Sequence, residues 1–435
     1  MNTEHGALLR DKIESGDITF AVIGQGYVGL PLAMEVTEAG FSCIGVDISE
    51  DRVAQANEGK SYIIDISDEQ LGGAVEKGLY RATTDYSEVA KADAISICVP
   101  TPLRKTRDPD ISYIQSALKQ MREYITKPCL IVLESTTYPG TTEEIVAGML
   151  AEVGLELDKD VFVAFSPERV DPGNATYHLK NTPKVIGGVT EDSTELACLL
   201  YGKFVDHVHP VGSAAEAEMV KLLENTFRAV NIALVNEMML MCDRMDINIW
   251  RVIEAAGTKP FGFMKFTPGP GIGGHCIPLD PTYLSWKAKS YGFYNRFIEL
   301  ATDINGNMPR FVVQKLTRLL NDHSGKALKG SKVMLVGMAY KPNIDDLRES
   351  PALDLWALLE QWGVELYYHD DFVSEIKSLD AKSTPLDEET IKSMDAVLIT
   401  TNHRHVDYEN ILKHAELILD TRGVYQGKSE NLYSL

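Results

Sequence analysis

Short apolar runs, each closing on glycine or a polar loop, recur along the first two hundred residues. They have the length of strands buried on both faces. Residues 18–23, 41–46, 92–99, 129–133 and 161–165 are such runs, with helical patterns between several of them, which predicts β-α-β units on a parallel sheet. From Ser213 the period changes. About thirty residues after Gly212 pass without glycine or proline, and a helix of that length spans roughly 45 Å. Met219, Leu222, Leu223, Val230, Leu234, Val235, Met238 and Met239 cover a wide arc of it, the pattern of a spine buried between domains and of a dimer contact. Shorter helices are expected over 251–256, 283–289 and 297–307, so the middle of the chain is all α. Strand runs then return at 332–336, 364–369, 395–400 and 415–420, with a helix over 351–362. The predicted fold class is α/β: two Rossmann-like, doubly wound parallel-sheet domains joined by a long central helix and an all-α middle domain.

The first strand opens into Gly24-Gln25-Gly26-Tyr27-Val28-Gly29 and a helix that Gly40 ends; the second strand closes on Asp47. A GxGxxG in that setting, with an acid about 20 residues on, is a dinucleotide fingerprint. Glycines let a pyrophosphate meet N–H groups at a helix N-terminus, and Asp47 accepts from ribose hydroxyls and repels a 2′-phosphate, which favours NAD. The second half differs: Gly337-Met338-Ala339 stands where it would carry its own fingerprint, so that half is expected to bind another ligand. Lys341, Arg348 and Arg422 lie at strand ends there and suit phosphates.

One loop concentrates chemistry. Residues 268–281, PGPGIGGHCIPLDP, hold Cys276 between His275 and Asp280, with Gly271, Gly273 and Gly274 allowing unusual backbone angles and close approach. Cys276 there is a candidate nucleophile or a buried turn residue. Glu168 stands at a strand end, suited to acid/base work or to an ion pair with a neighbour. Lys221 and Asn225 share a helix face, either aimed together at an oxygen or lying on the surface. Arg104, Lys105 and Arg107 read as a solvated loop.

Composition narrows the partners. The 435 residues are 44% apolar, and 42 basic against 63 acidic side chains give a net charge of -21, which argues against nucleic acid. The polar, mixed-charge opening lacks a signal-peptide core and no apolar run approaches the ~20 residues of a membrane span, so a cytoplasmic protein is expected. Six cysteines without CxxC pairs suit reduced thiols and imply neither a disulfide framework nor a metal site.

GQGYVGLPLA, GVD ending at Asp47, VPTP at 99–102, EST at 134–136, SPER at 166–169, KLLEN at 221–225, GIGGHCIPLDP and KPNIDDLRES together resemble the UDP-glucose/GDP-mannose dehydrogenase family, in order, over about residues 18–425. The resemblance implies an NAD-binding domain over 1–212, a helical domain with the cysteine loop over 213–315 and a UDP-sugar-binding domain over 316–435. It implies a four-electron oxidation of a sugar C6 alcohol to a carboxylate with two NAD+, through a thiohemiacetal and a thioester on Cys276. Lys221 and Asn225 would then serve the developing oxyanion and Asp280 would orient water or act as base with Lys221. Glu168 would assist thioester hydrolysis, and Thr136 would hold a water. Gly24, Gln25, Gly26, Tyr27, Val28, Gly29, Asp47, Arg52, Pro100, Thr101, Thr136 and Arg348 are the cofactor contacts it implies. Glu168, Arg169, Lys221, Asn225, Gly273, Lys341 and Arg422 are the substrate contacts, with Lys259 and Lys265 as further phosphate partners.

SPERVDPGN and GGHCIPLDPTYLSWKAK look most like the branch acting on UDP-N-acetylhexosamines, and UDP-N-acetylglucosamine is the expected substrate. UDP-N-acetylmannosamine and UDP-glucose are the alternatives. Where UDP-glucose enzymes carry a second glutamate, this chain has Pro172 beside Asp171, and His275 replaces a smaller residue. A non-catalytic NAD- and nucleotide-sugar-binding protein is the reading of another class; the joint presence of Cys276, Lys221, Asn225, Asp280 and Glu168 counts against it. A homodimer or higher homo-oligomer feeding cell-surface polysaccharide synthesis completes the expectation.

Overall fold

A computed structural model describes residues 3–63, 65–104, 108–170, 174 and 176–435. Lys105, Arg107, Asp171 and Pro172 lie outside the described residues. The chain forms two compact units, Met1–Glu224 with Thr282–Gly292, and Asn225–Pro281 with Phe293–Leu435.

The first unit is built on an eight-stranded sheet of order β3-β2-β1-β4-β5-β6-β7-β8. Its strands are β1 (Thr19–Ile23), β2 (Ser42–Val46), β3 (Tyr80–Thr83), β4 (Ala94–Ile97), β5 (Cys129–Leu133), β6 (Val161–Phe165), β7 (Lys184–Gly188) and β8 (Val208–Pro210). The order reverses between β1 and β4, the switch point at which such sheets bind ligands beyond their carboxyl ends. Alternation explains why the apolar runs are continuous. Phe20 and Val22 enter the core on one face of β1, while Ala21 and Ile23 enter the core on the other. The unpredicted β3 and β7 carry polar residues, Arg81 and Lys184, so their pattern does not stand out. β7 pairs antiparallel with β6, and β8 runs parallel to β7.

The second unit repeats the scheme on a parallel five-stranded sheet of order β10-β9-β13-β14-β15. These strands are β9 (Lys332–Val336), β10 (Glu365–His369), β13 (Ala396–Ile399), β14 (Ile418–Asp420) and β15 (Leu432–Ser434). β11 (Glu375–Ile376) and β12 (Ala381–Lys382) form a small antiparallel pair. Val333 and Leu335 face one core, Met334 and Val336 the other.

The expected long helix is Ala214–Arg244, of 31 residues. Another differs from expectation: the helix foreseen over 297–307 runs from Arg296 to Ser324, straight through Pro309. Proline there forfeits the hydrogen bond to the Asn305 carbonyl. Burial of Met308, Pro309, Val312, Val313, Leu316 and Leu320 outweighs that loss, and the Asn305 side chain ties this helix to the long one through Ala229 O at 3.1 Å and Asn236 at 2.9 Å. Among the described residues no helix is long and apolar enough to cross a membrane.

Candidate active site

In the first unit the three glycines of the fingerprint have three different reasons to be glycine. Gly24 has φ +90°, and a Cβ on it would lie 2.7 Å from the Cys98 carbonyl oxygen. A Cβ on Gly29 would lie 1.8 Å from the Gly24 carbonyl oxygen, so the helix Gly29–Glu38 packs this tightly on the turn only without a side chain. Gly26 meets nothing within 4 Å. Open space at the second glycine, beside a helix start whose Val28 N-cap supplies no side-chain cap, is the cradle a pyrophosphate needs. The residues present therefore fit NAD.

Asp47, buried at the end of β2, accepts the Gln25 N–H at 2.8 Å and the Ser49 N–H at 2.9 Å, with the Arg52 guanidinium 3.6 Å away. Gln25 itself is turned inward. Its amide donates to Val22 O (2.8 Å) and accepts from the Tyr80 hydroxyl (2.7 Å), and its carbonyl accepts from the Tyr62 hydroxyl (2.9 Å). Its side chain holds the turn, unlike Tyr27, which is exposed. Pro100 is exposed after β4, and the buried Thr101 gives its carbonyl to the Tyr283 hydroxyl.

Strand ends beyond the switch point carry a charged cluster. β5 delivers Glu134, Ser135 and the half-buried Thr136; β6 delivers Ser166 and Glu168. Antiparallel β7 pairs Phe165 with Gly187, and continuing that register sets Lys184 opposite Glu168. The Lys184 ammonium, 4% exposed, bonds Glu134 at 2.6 Å and Glu168 at 3.2 Å. Glu134 also accepts from the Tyr201 hydroxyl. Such a triad is stable only complete: removing one partner of a buried pair costs on the order of 3–5 kcal/mol.

Glu168 accepts the N–H groups of Arg169 (2.8 Å) and Val170 (2.7 Å) on its other oxygen. Burial pushes its pKa up, but Lys184, the Val170 N–H and Lys221 outweigh burial and hold the carboxyl below its usual range. Lys184 in turn is kept charged: burial opposes its proton, and the two carboxylates more than restore it. Arg169, expected on substrate, grips Glu224 through Nη2 at 2.6 Å and Pro183 O through Nη1 at 2.6 Å. It fastens the SPER loop to the long helix. Lys221 on that helix is buried, which sets aside its reading as half of a surface pair.

In the second unit the cysteine loop lies on the segment that follows β9. Gly271 and Gly274 have φ +145° and +87°, and the Gly274 N–H donates to Arg348 O at 3.0 Å. A Cβ on Gly273 would lie 2.6 Å from the Cβ of Tyr340 and 2.7 Å from the Glu349 carbonyl oxygen. The close approach that demands glycine at 273 is made by the chain itself. Cys276 is exposed, which excludes the buried-turn reading, and its carbonyl accepts the N–H groups of Leu279 (3.1 Å) and Asp280 (2.8 Å) on the way into the helix Asp280–Ser290. The buried Asp280 carboxylate accepts from the Asn225 amide at 2.5 Å. His275 is half-buried beside the thiol.

Arg422 follows β14 and donates through Nε to Thr400 O at 2.6 Å; burial lowers its pKa to about 10. Lys341 is half-buried in the turn after β9. Arg348, expected on the cofactor, belongs to this second unit and spans Asp346 with bonds of 2.6 and 3.0 Å. Lys259 lies over the Phe261 ring, 4.9 Å away, and Lys265 stands 3.9 Å from Glu254. Among the described residues no three His, Cys, Asp or Glu side chains group to hold a metal ion. Sequence reading missed Lys184 and the pairings of Arg169 with Glu224 and of Asp280 with Asn225; no motif spacing marks them, and only strand register and helix packing bring them in.

Known proteins agree with this arrangement. Residues 18–205, 215–307 and 334–427 match the NAD binding, central and UDP binding domains of the UDP-glucose/GDP-mannose dehydrogenase family. The UDP-N-acetyl-D-mannosamine dehydrogenase of Methanocaldococcus jannaschii is 37% identical over 433 residues, 95% of this chain and 94% of that protein. The structure of the UDP-D-ManNAc dehydrogenase from Pyrococcus horikoshii superposes with a TM-score of 0.88 at 33% identity, over 96% of this chain and 98% of that one. A UDP-glucose dehydrogenase structure from Pyrobaculum islandicum reaches 0.85 at 29% identity, over 96% of both chains. The chain belongs to the UDP-glucose/GDP-mannose dehydrogenase family and is an NAD-dependent UDP-sugar dehydrogenase.

Proposed function

We propose that this enzyme oxidises the C6 hydroxyl of UDP-N-acetyl-D-mannosamine to the carboxylate. The observation that carries the choice of sugar is that, of two solved structures of nearly equal fold, the one named for that substrate is 33% identical and the UDP-glucose enzyme 29%. The reading expected from the branch motifs, UDP-N-acetylglucosamine, gives way to its alternative on this ground; both sugars share the 2-acetamido group and differ only in its stereochemistry.

Roles follow from what each side chain can do. NAD, when bound at the Gly26 turn, accepts the hydride of each oxidation. Cys276, an exposed thiol on a loop fixed by Gly271, Gly273 and Gly274, attacks the C6 aldehyde through sulfur and carries the acyl group as a thioester. Lys221 and Asn225, one helical turn apart, donate to the developing oxyanion. Asp280, held by Asn225, takes or returns the proton of the reacting oxygen. Glu168, an ionised carboxylate, serves the water that cleaves the thioester, and Thr136 holds that water. Lys341 and Arg422 bind the UDP phosphates. Exposed Met219, Leu223, Phe227, Leu234 and Met241 form a stripe along the long helix that supports association of two copies. The product supplies a surface polymer from the cytoplasm.

NADH formation with limiting sugar tests the reading. About two NADH per UDP-N-acetylmannosamine, with UDP-N-acetylglucosamine and UDP-glucose turning over far more slowly, is the expected result. One NADH per sugar contradicts the thioester route. Preference for UDP-N-acetylglucosamine restores the branch first expected.

A further inference from the structure

The buried cluster behind Glu168 contains a cation to which no step of the oxidation gives a role. We propose that Lys184 is a positioning residue for thioester hydrolysis, clamping the Glu168 carboxylate through a Glu134–Lys184–Glu168 bridge. The proposal rests on the reading of Glu168 as the group that serves the hydrolytic water.

Geometry carries it. Lys184 is buried, and its ammonium is shared between Glu134 Oε2 at 2.6 Å and Glu168 Oε2 at 3.2 Å. The nearer bond goes to Glu134. Glu134 is fixed by the Tyr201 hydroxyl, which also contacts Ser96 at 2.8 Å, so the anchor is rooted in β4, β5 and a core helix. Glu168 is thus fixed on both oxygens, by Lys184 on one and by two backbone N–H groups on the other. Among the described residues, the charged and titratable groups facing this site are Glu134 from β5, Lys184 from β7, Lys221 from the long helix, Tyr201, and the Cys98 thiol after β4. Burial first, and then Glu134, keeps that thiol protonated.

In the hydrolytic step a water oxygen bonds the thioester carbon and the C–S bond breaks. Sulfur leaves with the electron pair as the Cys276 thiolate, and the water proton passes to an acceptor. An acceptor that must stay unprotonated and aimed is what the clamp provides. Because Lys184 bridges Glu134 and Glu168, the acid limb that Glu168 sets depends on both of its neighbours in the bridge. Removing the cation should therefore move the limb one way, and removing the competing carboxylate the other. A purely structural role predicts no such opposition.

The test compares Lys184→Met, Lys184→Arg, Glu134→Gln and Glu168→Gln in the full-length enzyme with NAD and UDP-N-acetylmannosamine. Rapid quenching reads the NADH burst and the adduct on Cys276 by intact mass; steady-state rates read the pH profile. Lys184→Met should release about two NADH per chain, then stall with the adduct in place. Its steady rate near neutral pH should fall roughly tenfold to a hundredfold, within the ~10²–10⁴ that a positioned acid or base contributes. Its acid limb should move to higher pH, Lys184→Arg should restore both, and Glu134→Gln should move the limb to lower pH. Unmoved limbs and no adduct in Lys184→Met and Glu134→Gln overturn the proposal. If Lys184→Met does not fold, Glu134→Gln decides alone: a lowered limb supports the clamp and an unchanged one overturns it. An adduct in Glu168→Gln with no effect at Lys184 or Glu134 removes the clamp but keeps the role of Glu168. No adduct in Glu168→Gln removes the reading on which the clamp rests.

Discussion

Among the cysteines, exposure singles out Cys276. Cys43, Cys98, Cys129 and Cys242 are buried and Cys198 is half-buried. Burial pushes the thiols of Cys43 and Cys98 far up, that of Cys129 to about 12 and that of Cys198 to about 11, so none of these four supplies thiolate near neutral pH. Iodoacetamide at about pH 8 should therefore modify one cysteine per chain, Cys276, and abolish NADH formation in proportion. Peptide mass mapping that finds another cysteine modified first would contradict the assignment. Residue type and place made Cys276 and Glu168 legible in the sequence: a thiol in a glycine-rich loop and a carboxylate at a strand end announce themselves. Lys184 does not. It opens a short strand after Pro183, and its meaning comes from antiparallel register with β6, which no local pattern encodes. Gln25 shows the other direction: it sits inside the fingerprint, yet its side chain faces the core, which the motif does not announce.

At the scale of the element, the glycine turn separates a folding requirement from a binding one. Gly29→Ala puts a methyl group where the Gly24 carbonyl oxygen stands, and overpacking of that kind costs about 1–3 kcal/mol. Gly26→Ala meets only open space at negative φ, so the fold should keep its stability while the Cβ intrudes on the cradle. The expected outcome is a thermal midpoint unchanged in Gly26→Ala with KM for NAD raised at least about tenfold, against a clearly lowered midpoint in Gly29→Ala. A destabilised Gly26→Ala with normal KM would show that the open space has no ligand to receive. Elements of this kind were readable because strand, turn and helix each carry their own local signal. The helix through Pro309 was not, since its continuation depends on a buried face and on Asn305 reaching Ala229 and Asn236, both distant in sequence.

The whole molecule uses the same sheet-and-turn scheme twice, yet the second copy closes the turn that the first leaves open. Asp370, at the end of β10 as Asp47 is at the end of β2, accepts the N–H groups of both Met338 (2.6 Å) and Ala339 (3.2 Å) and a bond from buried His403 at 3.1 Å. Burial alone would raise its pKa, but the bond from His403 and the backbone donors hold it below the usual range, so a carboxylate occupies donors a pyrophosphate would need. Asp47 takes the Gln25 N–H and leaves Gly26 facing open space. Repetition of the fold therefore does not repeat the ligand. Calorimetric titration should saturate at one NADH per chain and one UDP per chain, with the NADH count unchanged after saturation by UDP. Two NADH sites per chain would mean that Asp370 yields its turn to a phosphate, and the carboxylate-filled turn would lose its place as the device that assigns each half its own nucleotide.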